Sequence, residues 1–368
     1  MIGKKVGSDL SRVDGLDLLR VAAVGAVILY HFGFWGPASH GIPQVALPAL
    51  APFAQYGFMG VPVFFVISGF VIAYSAEGRT AIGFGIARFS RIYPTFVLCM
   101  TLTFLATILF GRSNFDVSVA QWWANLFIAA PTFGRAYMDS SYWSLVIEVI
   151  FYAWFALFVA CRVIPRRIEA IILIWLGITF ANELTVDALI VEKVFMADDS
   201  GFFAVGLLFY EYYRGRRDPR LFAVMALAVG TAVFQSIHKI EKLGVHTGGS
   251  FDPKVVTAIC LVSIALVFLA IRVRHIPLPR GLILAAGGIT YPLYLLHMQL
   301  GYVIFMAAAP SQYIALWVGA IVLGITALAW SIWRFAEYPL HTWTKLKMTE
   351  WAAAFGLKSR TVRESNAA

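Results

Sequence analysis

The stretch Leu16–Trp35, LDLLRVAAVGAVILYHFGFW, constrains the fold more than any other. As a helix rising ~1.5 Å per residue it reaches about 30 Å, the depth of a bilayer's hydrocarbon core. Ionisable side chains interrupt it, among them Arg20 and His31. Their separation is close to three turns at ~3.6 residues per turn, so the spacing predicts one shared face and an axial offset of roughly 16 Å. A charge held at the centre of a membrane helix costs on the order of 2.5–3.5 kcal/mol. Two readings stay open on this helix alone. The pair forms a functional polar stripe, or Arg20 snorkels to the headgroups while His31 bonds a neighbouring helix.

The rest of the chain makes the same demand on its solvent. Of 368 residues, 60% are hydrophobic and 13% charged, and the mean hydropathy is +0.77. A soluble chain of this length would divide into two or three domains; this one reads as a single polytopic membrane domain. Apolar runs lie at roughly 16–35, 53–76, 93–111, 142–161, 168–185, 201–213, 221–238, 254–272, 282–308 and 312–335. The expectation is an all-α membrane bundle of about ten transmembrane helices, the sixth short, with no soluble domain. Residues 1–15 are read as a cytoplasmic N-terminal segment, 16–343 as the membrane domain and 344–368 as a cytoplasmic tail. Gln121–Ala130 is apolar but too short to span, which suits a re-entrant or interfacial piece. The basic start Lys4, Lys5, Arg12 imitates a secretory signal, but GFWGP follows where a small-residue cleavage site belongs, so the first helix is read as retained.

The net charge of +9 does not point to nucleic acid, because the basic residues sit at helix ends rather than on one face. With both termini inside, 21 of the 29 Lys and Arg residues fall in inner segments and 6 in outer ones, with Arg20 and Arg334 within spans. That asymmetry predicts an N-in, C-in topology. Cys99, Cys161 and Cys260 lie in apolar runs without paired spacing, so neither a disulfide framework nor a metal site is expected.

Five further stretches hold polar groups where lipid disfavours them. In GFMGVPVFFVISGFVIAYSA, Gly60, Ser68 and Gly69 suit either close helix packing or a cavity. The inner stretch EGRTAIGFGIARFSRIYP places Arg88 and Arg91 at i, i+3, on one face of a short amphipathic surface helix. They are membrane anchors or phosphate ligands, since arginine forks match phosphate oxygens. In SYWSLVIEVIFYAWF, Glu148 lies about two turns into its helix and must find a partner or a proton. Tyr142 and Trp143 beside it suit an interfacial aromatic belt equally well. In ITYPLYLLHMQ, Pro292 can kink the helix, and His297 is a second intramembrane histidine, bridging helices or serving chemistry. In WRFAEYPLHTW, Arg334 and Glu337 at i, i+3 read as an ion pair.

Taken in order, Arg20 and His31 with ten residues between them, GVPVFFVISGFVI, Arg88-x-x-Arg91-Ile-Tyr-Pro, WSLVIEVIFY, ITYPLYLLH and Glu337-Tyr-Pro resemble the acyltransferase family 3 membrane proteins, bacterial inner-membrane O-acyltransferases of polysaccharides. The likeness runs from about residue 12 to 343. It departs at Val149, where many relatives carry a second acidic residue after the one at Glu148, and the esterase-like extension of some larger members is not expected here. The short form is similar to the exopolysaccharide and Nod-factor acetylating branch.

The resemblance implies a multi-pass protein of the bacterial inner membrane that takes an acyl group, usually acetyl, from acyl-CoA as co-substrate, with no bound cofactor. The acceptor is a hydroxyl of a carbohydrate, a cell-surface or lipid-linked glycan. His31 and Arg20 match the motif held catalytic, with Glu148 as a carboxylate facing them, and Arg88 and Arg91 match the paired arginines near the donor. Asp17, Ser68, Trp143, Ser144, Tyr152, Tyr294, His297 and Glu337 are accessory candidates in or beside the motifs. Membrane lipid, and a second copy where the bundle self-associates, complete the expected partners. A histidine base suits the chemistry, since imidazole titrates nearest neutrality. Two rivals use the same residues: an acyltransferase acting on a small-molecule glycoside, and a proton-coupled transporter relaying through His31, Glu148 and His297.

Overall fold

The computed structural model describes residues 13–39, 42, 47–111, 115–273, 275–308 and 312–357, and all regular elements among them are helical. The principal helices are α1 (Asp14–Ser39), α2 (Ala51–Ala76), α3 (Ala81–Phe110), α4 (Ser140–Ala160), α5 (Ile168–Val186), α6 (Ser200–Tyr213), α7 (Pro219–Thr247), α8 (Pro253–Ala270), α9 (Arg280–Leu296), α10 (Gln299–Ala308) and α11 (Ile314–Ala354). Eight of them are individually long and apolar enough to cross a membrane, and α9 with α10 passes that test as one span bent by 64°. The short sixth run is α6. It is buried on every side from Ser200 to Glu211, as expected of a helix that is apolar all round and sits in the middle of a bundle.

Helix packing explains the small residues of α2. A Cβ on Gly69 would lie 2.4 Å from the Phe203 carbonyl oxygen, and one on Gly206 would lie 2.1 Å from that of Val66, so α2 and α6 touch backbone to backbone. Gly60 does the same against Ala23 O of α1, at 2.4 Å. Phe203 of α6 stacks on Phe65 of α2 at 4.7 Å and meets Phe151 of α4 at 4.3 Å. A second apolar cluster joins α3, α9, α10 and α11 around Phe96, Tyr142 and Tyr302. Trp35, at the far end of α1, stacks on His246 of α7 at 5.3 Å.

Several boundaries differ from the sequence-based expectation. Arg88 and Arg91 do not sit on a separate surface helix; α3 begins at Ala81, capped by Thr80 Oγ1 accepting from Gly83 N at 3.1 Å, and runs unbroken through Pro94 to Phe110. The span expected over 282–308 breaks at His297–Met298, five residues beyond Pro292, which lies within continuous helix. Buried Asp139 fixes the break by accepting from Gln299 N and from Ser141 N, each at 2.8 Å, so one carboxylate caps two helix starts. The expected end near 335 is also early. α11 passes through a π-helical stretch, Ile332–Glu337, and continues to Ala354 against α3, so the first part of the presumed tail is helix. Lys358, Arg360, Arg363 and the N-terminal Lys4, Lys5 and Arg12 lie outside the described residues. Within Gln121–Ala130 the chain forms the short helix Val119–Asn125, tied to α3 by Trp122 Nε1 donating to Thr101 Oγ1 at 3.1 Å.

Candidate active site

A cavity of about 460 Å³ opens between the two apolar clusters, at the end of the bundle where α1 begins. The start of α1 sends in Asp17 and Arg20; α3 contributes Arg88 and Arg91. Ser68 comes from α2, Ser144, Glu148 and Tyr152 from α4, Tyr294 from α9 and Glu337 from α11. Ten of the thirteen site candidates read from the sequence therefore share one chamber. The placement follows from helix periodicity: Arg88 and Arg91, like Ser144, Glu148 and Tyr152, recur at three- and four-residue steps and so face one way.

The chamber's charges are partly paired. Arg20 Nη1 lies 3.0 Å from Asp17 Oδ1, one turn back on its own helix, and Asp17 is buried. Glu148 Oε1 accepts from Ser68 Oγ at 3.0 Å and from the Tyr152 hydroxyl, the partners that its depth required. Arg88 Nε and Glu337 Oε2 are buried with no hydrogen-bond partner among the described residues. A desolvated guanidinium nitrogen and carboxylate oxygen are costly to leave so, and both belong to residues that line the cavity. The expected Arg334–Glu337 ion pair does not form, because both residues fall in the π stretch, whose wider turn takes them off one face. Arg334 instead lies over the Phe335 ring at 5.5 Å.

His31, His297 and Trp143 stand outside the chamber. Trp143 is 37% exposed and lies edge-on to Phe65, with Lys239 Nζ 5.1 Å from its ring centre. The two histidines meet each other: His31 Nδ1 is 2.9 Å from His297 Nε2. His297 Nδ1 donates to Tyr294 O at 2.7 Å, which leaves its Nε2 as an acceptor. His31 Nδ1 is also 2.9 Å from Val27 O. Both neighbours of that nitrogen accept, so the hydrogen-bond network assigns the proton to Nδ1 and the basic lone pair of neutral His31 to Nε2. His31 opens a π-helical turn, His31–Trp35, whose first carbonyl accepts from the Tyr302 hydroxyl at 2.8 Å.

Of Arg20 and His31, only Arg20 lines the chamber. Tyr294 links the chamber to the histidine pair. Its hydroxyl is 2.6 Å from Ser144 Oγ and donates to Ser141 O at 3.2 Å, while its carbonyl holds His297. Sequence reasoning did not find Tyr291 and His341, which also line the chamber, nor Tyr302 and Asp139, which brace the histidine pair. Only Asp139 carried a signal: Asp-Ser-Ser-Tyr before an apolar run is a helix-start pattern.

A family model described as an acyltransferase domain matches residues 13–334. The O-acetyltransferase OatA of Staphylococcus aureus (strain NCTC 8325 / PS 47) is 30% identical over 186 residues, which is 42% of this chain and 26% of that protein. The putative peptidoglycan O-acetyltransferase YrhL of Bacillus subtilis (strain 168) is 28% identical over 166 residues, 40% of this chain and 23% of that protein. The chain thus spans about a quarter of the length of these curated relatives. No solved structure matches it.

Proposed function

The chain belongs to acyltransferase family 3, and from that premise we propose that it is a membrane O-acyltransferase carrying an acetyl group from acetyl-CoA to a carbohydrate hydroxyl. One observation carries the reading. Tyr294 lines the arginine-lined chamber, and the carbonyl of the same residue holds the His31–His297 pair. That arrangement supports a reading in which a polyanionic donor and a general base act on either side of one side chain.

Arg88 and Arg91 bind the phosphates of the donor by charge-assisted forks, with Arg20 held ready by Asp17 deeper in. The thioester arm runs along the chamber towards Ser144 and Tyr294 and passes the tyrosine ring to meet His31. The acceptor arrives from the opposite face of the membrane. His31 Nε2 takes the hydroxyl proton as the alkoxide oxygen bonds to the thioester carbonyl carbon. The C–S bond then breaks, and the CoA thiolate recovers the proton from His31. His297 accepts from His31 Nδ1–H and keeps the imidazole in the tautomer that the step needs.

The relatives' names support a glycan acceptor, and a cell-surface or lipid-linked glycan fits an acceptor side opposite the donor chamber. The transporter reading fits less well, because Glu148 is bonded to Ser68 and Tyr152 and to neither histidine, which leaves a proton relay without its middle link. The lysine and arginine asymmetry, and the cytoplasmic origin of acyl-CoA, support a bacterial inner-membrane location with the chamber facing the cytoplasm.

The test is acetyl transfer from labelled acetyl-CoA to oligosaccharides by the purified protein in detergent, compared with His31→Gln. The variant should fold and lose ~10²–10⁴ of the rate, the typical worth of a positioned base. Undiminished transfer would remove His31 from the mechanism, and transfer to small glycosides but not oligosaccharides would move the acceptor to that class.

A further inference from the structure

Away from this chamber, a second cavity of about 230 Å³ lies between α4 and α5. Its walls are apolar: Phe151 and Phe158 of α4, Ile171, Ile174 and Ile178 of α5, and Leu207 of α6 behind them. The α5 stripe starts at Ile168, so the groove runs roughly 15 Å along the helix at ~1.5 Å per residue. Ile174 is 65% exposed, so the groove opens sideways to the surface of the bundle. The far end is closed. Trp154 Nε1 donates to Val194 O at 2.8 Å and Trp175 Nε1 to Phe195 O at 2.5 Å, which satisfies both indoles and pins the segment across the groove.

The near end meets the turn between α4 and α5, where Arg162, Arg166 and Arg167 stand exposed within six residues. None of the three has an ion-pair partner among the described residues. Arg216, at the same end of the bundle, differs: it pairs with Glu169 at 2.5 Å and Asp218 at 2.8 Å. A carbon-lined groove gains dispersion contacts when a chain fills it, and unpaired arginines at its mouth attract an anionic headgroup and fork a phosphate.

We propose that this groove holds one acyl chain of an anionic glycerophospholipid whose phosphate the Arg162–Arg166–Arg167 turn binds. The closed far end and the short run limit the occupant to an ordinary fatty-acyl length and disfavour a long polyprenyl chain. A second copy of this protein docked by two-fold symmetry about the turn would set three arginines against three. The site is separate from the acyl-transfer chamber and does not rest on the function proposed above.

Native mass spectrometry of the purified full chain tests the assignment. Equal amounts of phosphatidylglycerol and zwitterionic phosphatidylethanolamine are offered, with decaprenyl phosphate as competitor. The protein should retain one phosphatidylglycerol with about tenfold preference over phosphatidylethanolamine. The Arg162→Gln, Arg166→Gln, Arg167→Gln triple variant changes only exposed side chains and should bring that preference close to unity. Ile171→Trp, which fills the groove, should lower retention of both phospholipids about tenfold while eluting as a monodisperse species. Equal retention by the wild type, an undiminished preference in the triple variant, or displacement of phosphatidylglycerol by decaprenyl phosphate would each overturn the proposal.

Discussion

At His31 the decisive detail is which nitrogen carries the proton. With Nδ1–H directed at His297 and Val27, the proposed mechanism gives Nε2 the role of base and His297 that of positioning it. His297→Gln should therefore lower kcat by about tenfold or more, leave the KM for acetyl-CoA unchanged and shift the pH profile of kcat, because it perturbs the base without touching the donor. A change confined to KM would assign His297 to donor binding. On the donor side, Arg88→Ala removes a buried guanidinium and should weaken acetyl-CoA binding by ~1.5–3 kcal/mol, read as Kd on the folded protein. Arg88→Lys keeps the charge but loses the Nε that has no partner among the described residues, so it should recover only part of that affinity. Unchanged affinity in both variants would leave Arg88 as an anchor. The residues of the donor chamber were legible in the sequence because helical spacing alone aligns Arg88 with Arg91, and Ser144 with Glu148 and Tyr152. The His31–His297 bond was not. Its partners are 266 positions apart, and no local period links them.

Among the helices, α2 and α6 carry the tightest constraint. Gly206→Ala would drive a Cβ into the Val66 carbonyl oxygen and to within 2.8 Å of Phe70 N, both of them backbone that cannot swing aside. It should cost about 1–3 kcal/mol, the usual range for overpacking, and lower the melting temperature. Gly230→Ala on α7 meets nothing within 4 Å and should be neutral or slightly stabilising, since alanine favours helix. Equal losses at the two positions would rule out close packing as the cause. Hydrophobic runs located the helices well, since burial in lipid demands length and apolarity of each. They misplaced ends wherever a helix outlasts its apolar run, as at Ala81, Thr247 and Ala354, because a helical backbone satisfies its own hydrogen bonds in water as well as in lipid. The π stretches at His31 and Ile332 left no sequence pattern, and the second undid the expected Arg334–Glu337 pair.

For the whole molecule, orientation decides which face meets the donor. In a background with Cys99, Cys161 and Cys260 replaced, single cysteines at Arg217 and Ser250 occupy exposed sites at opposite ends of α7. An impermeant thiol reagent applied to intact cells should label position 250 and spare 217. The reverse pattern would turn the arginine chamber outward, away from cytoplasmic acyl-CoA. The position of Tyr294 also bears on the cell's energy supply. Arg20, Glu148 and Tyr294 line the chamber, the Tyr294 hydroxyl is 2.6 Å from Ser144 Oγ, and its carbonyl holds His297 against His31, so polar groups lie on both sides of this one residue. In proteoliposomes carrying an imposed gradient, Tyr294→Ala should dissipate it faster than the wild type does. The tyrosine would then be the insulation that lets one bundle keep charged and basic groups on both of its sides without leaking protons.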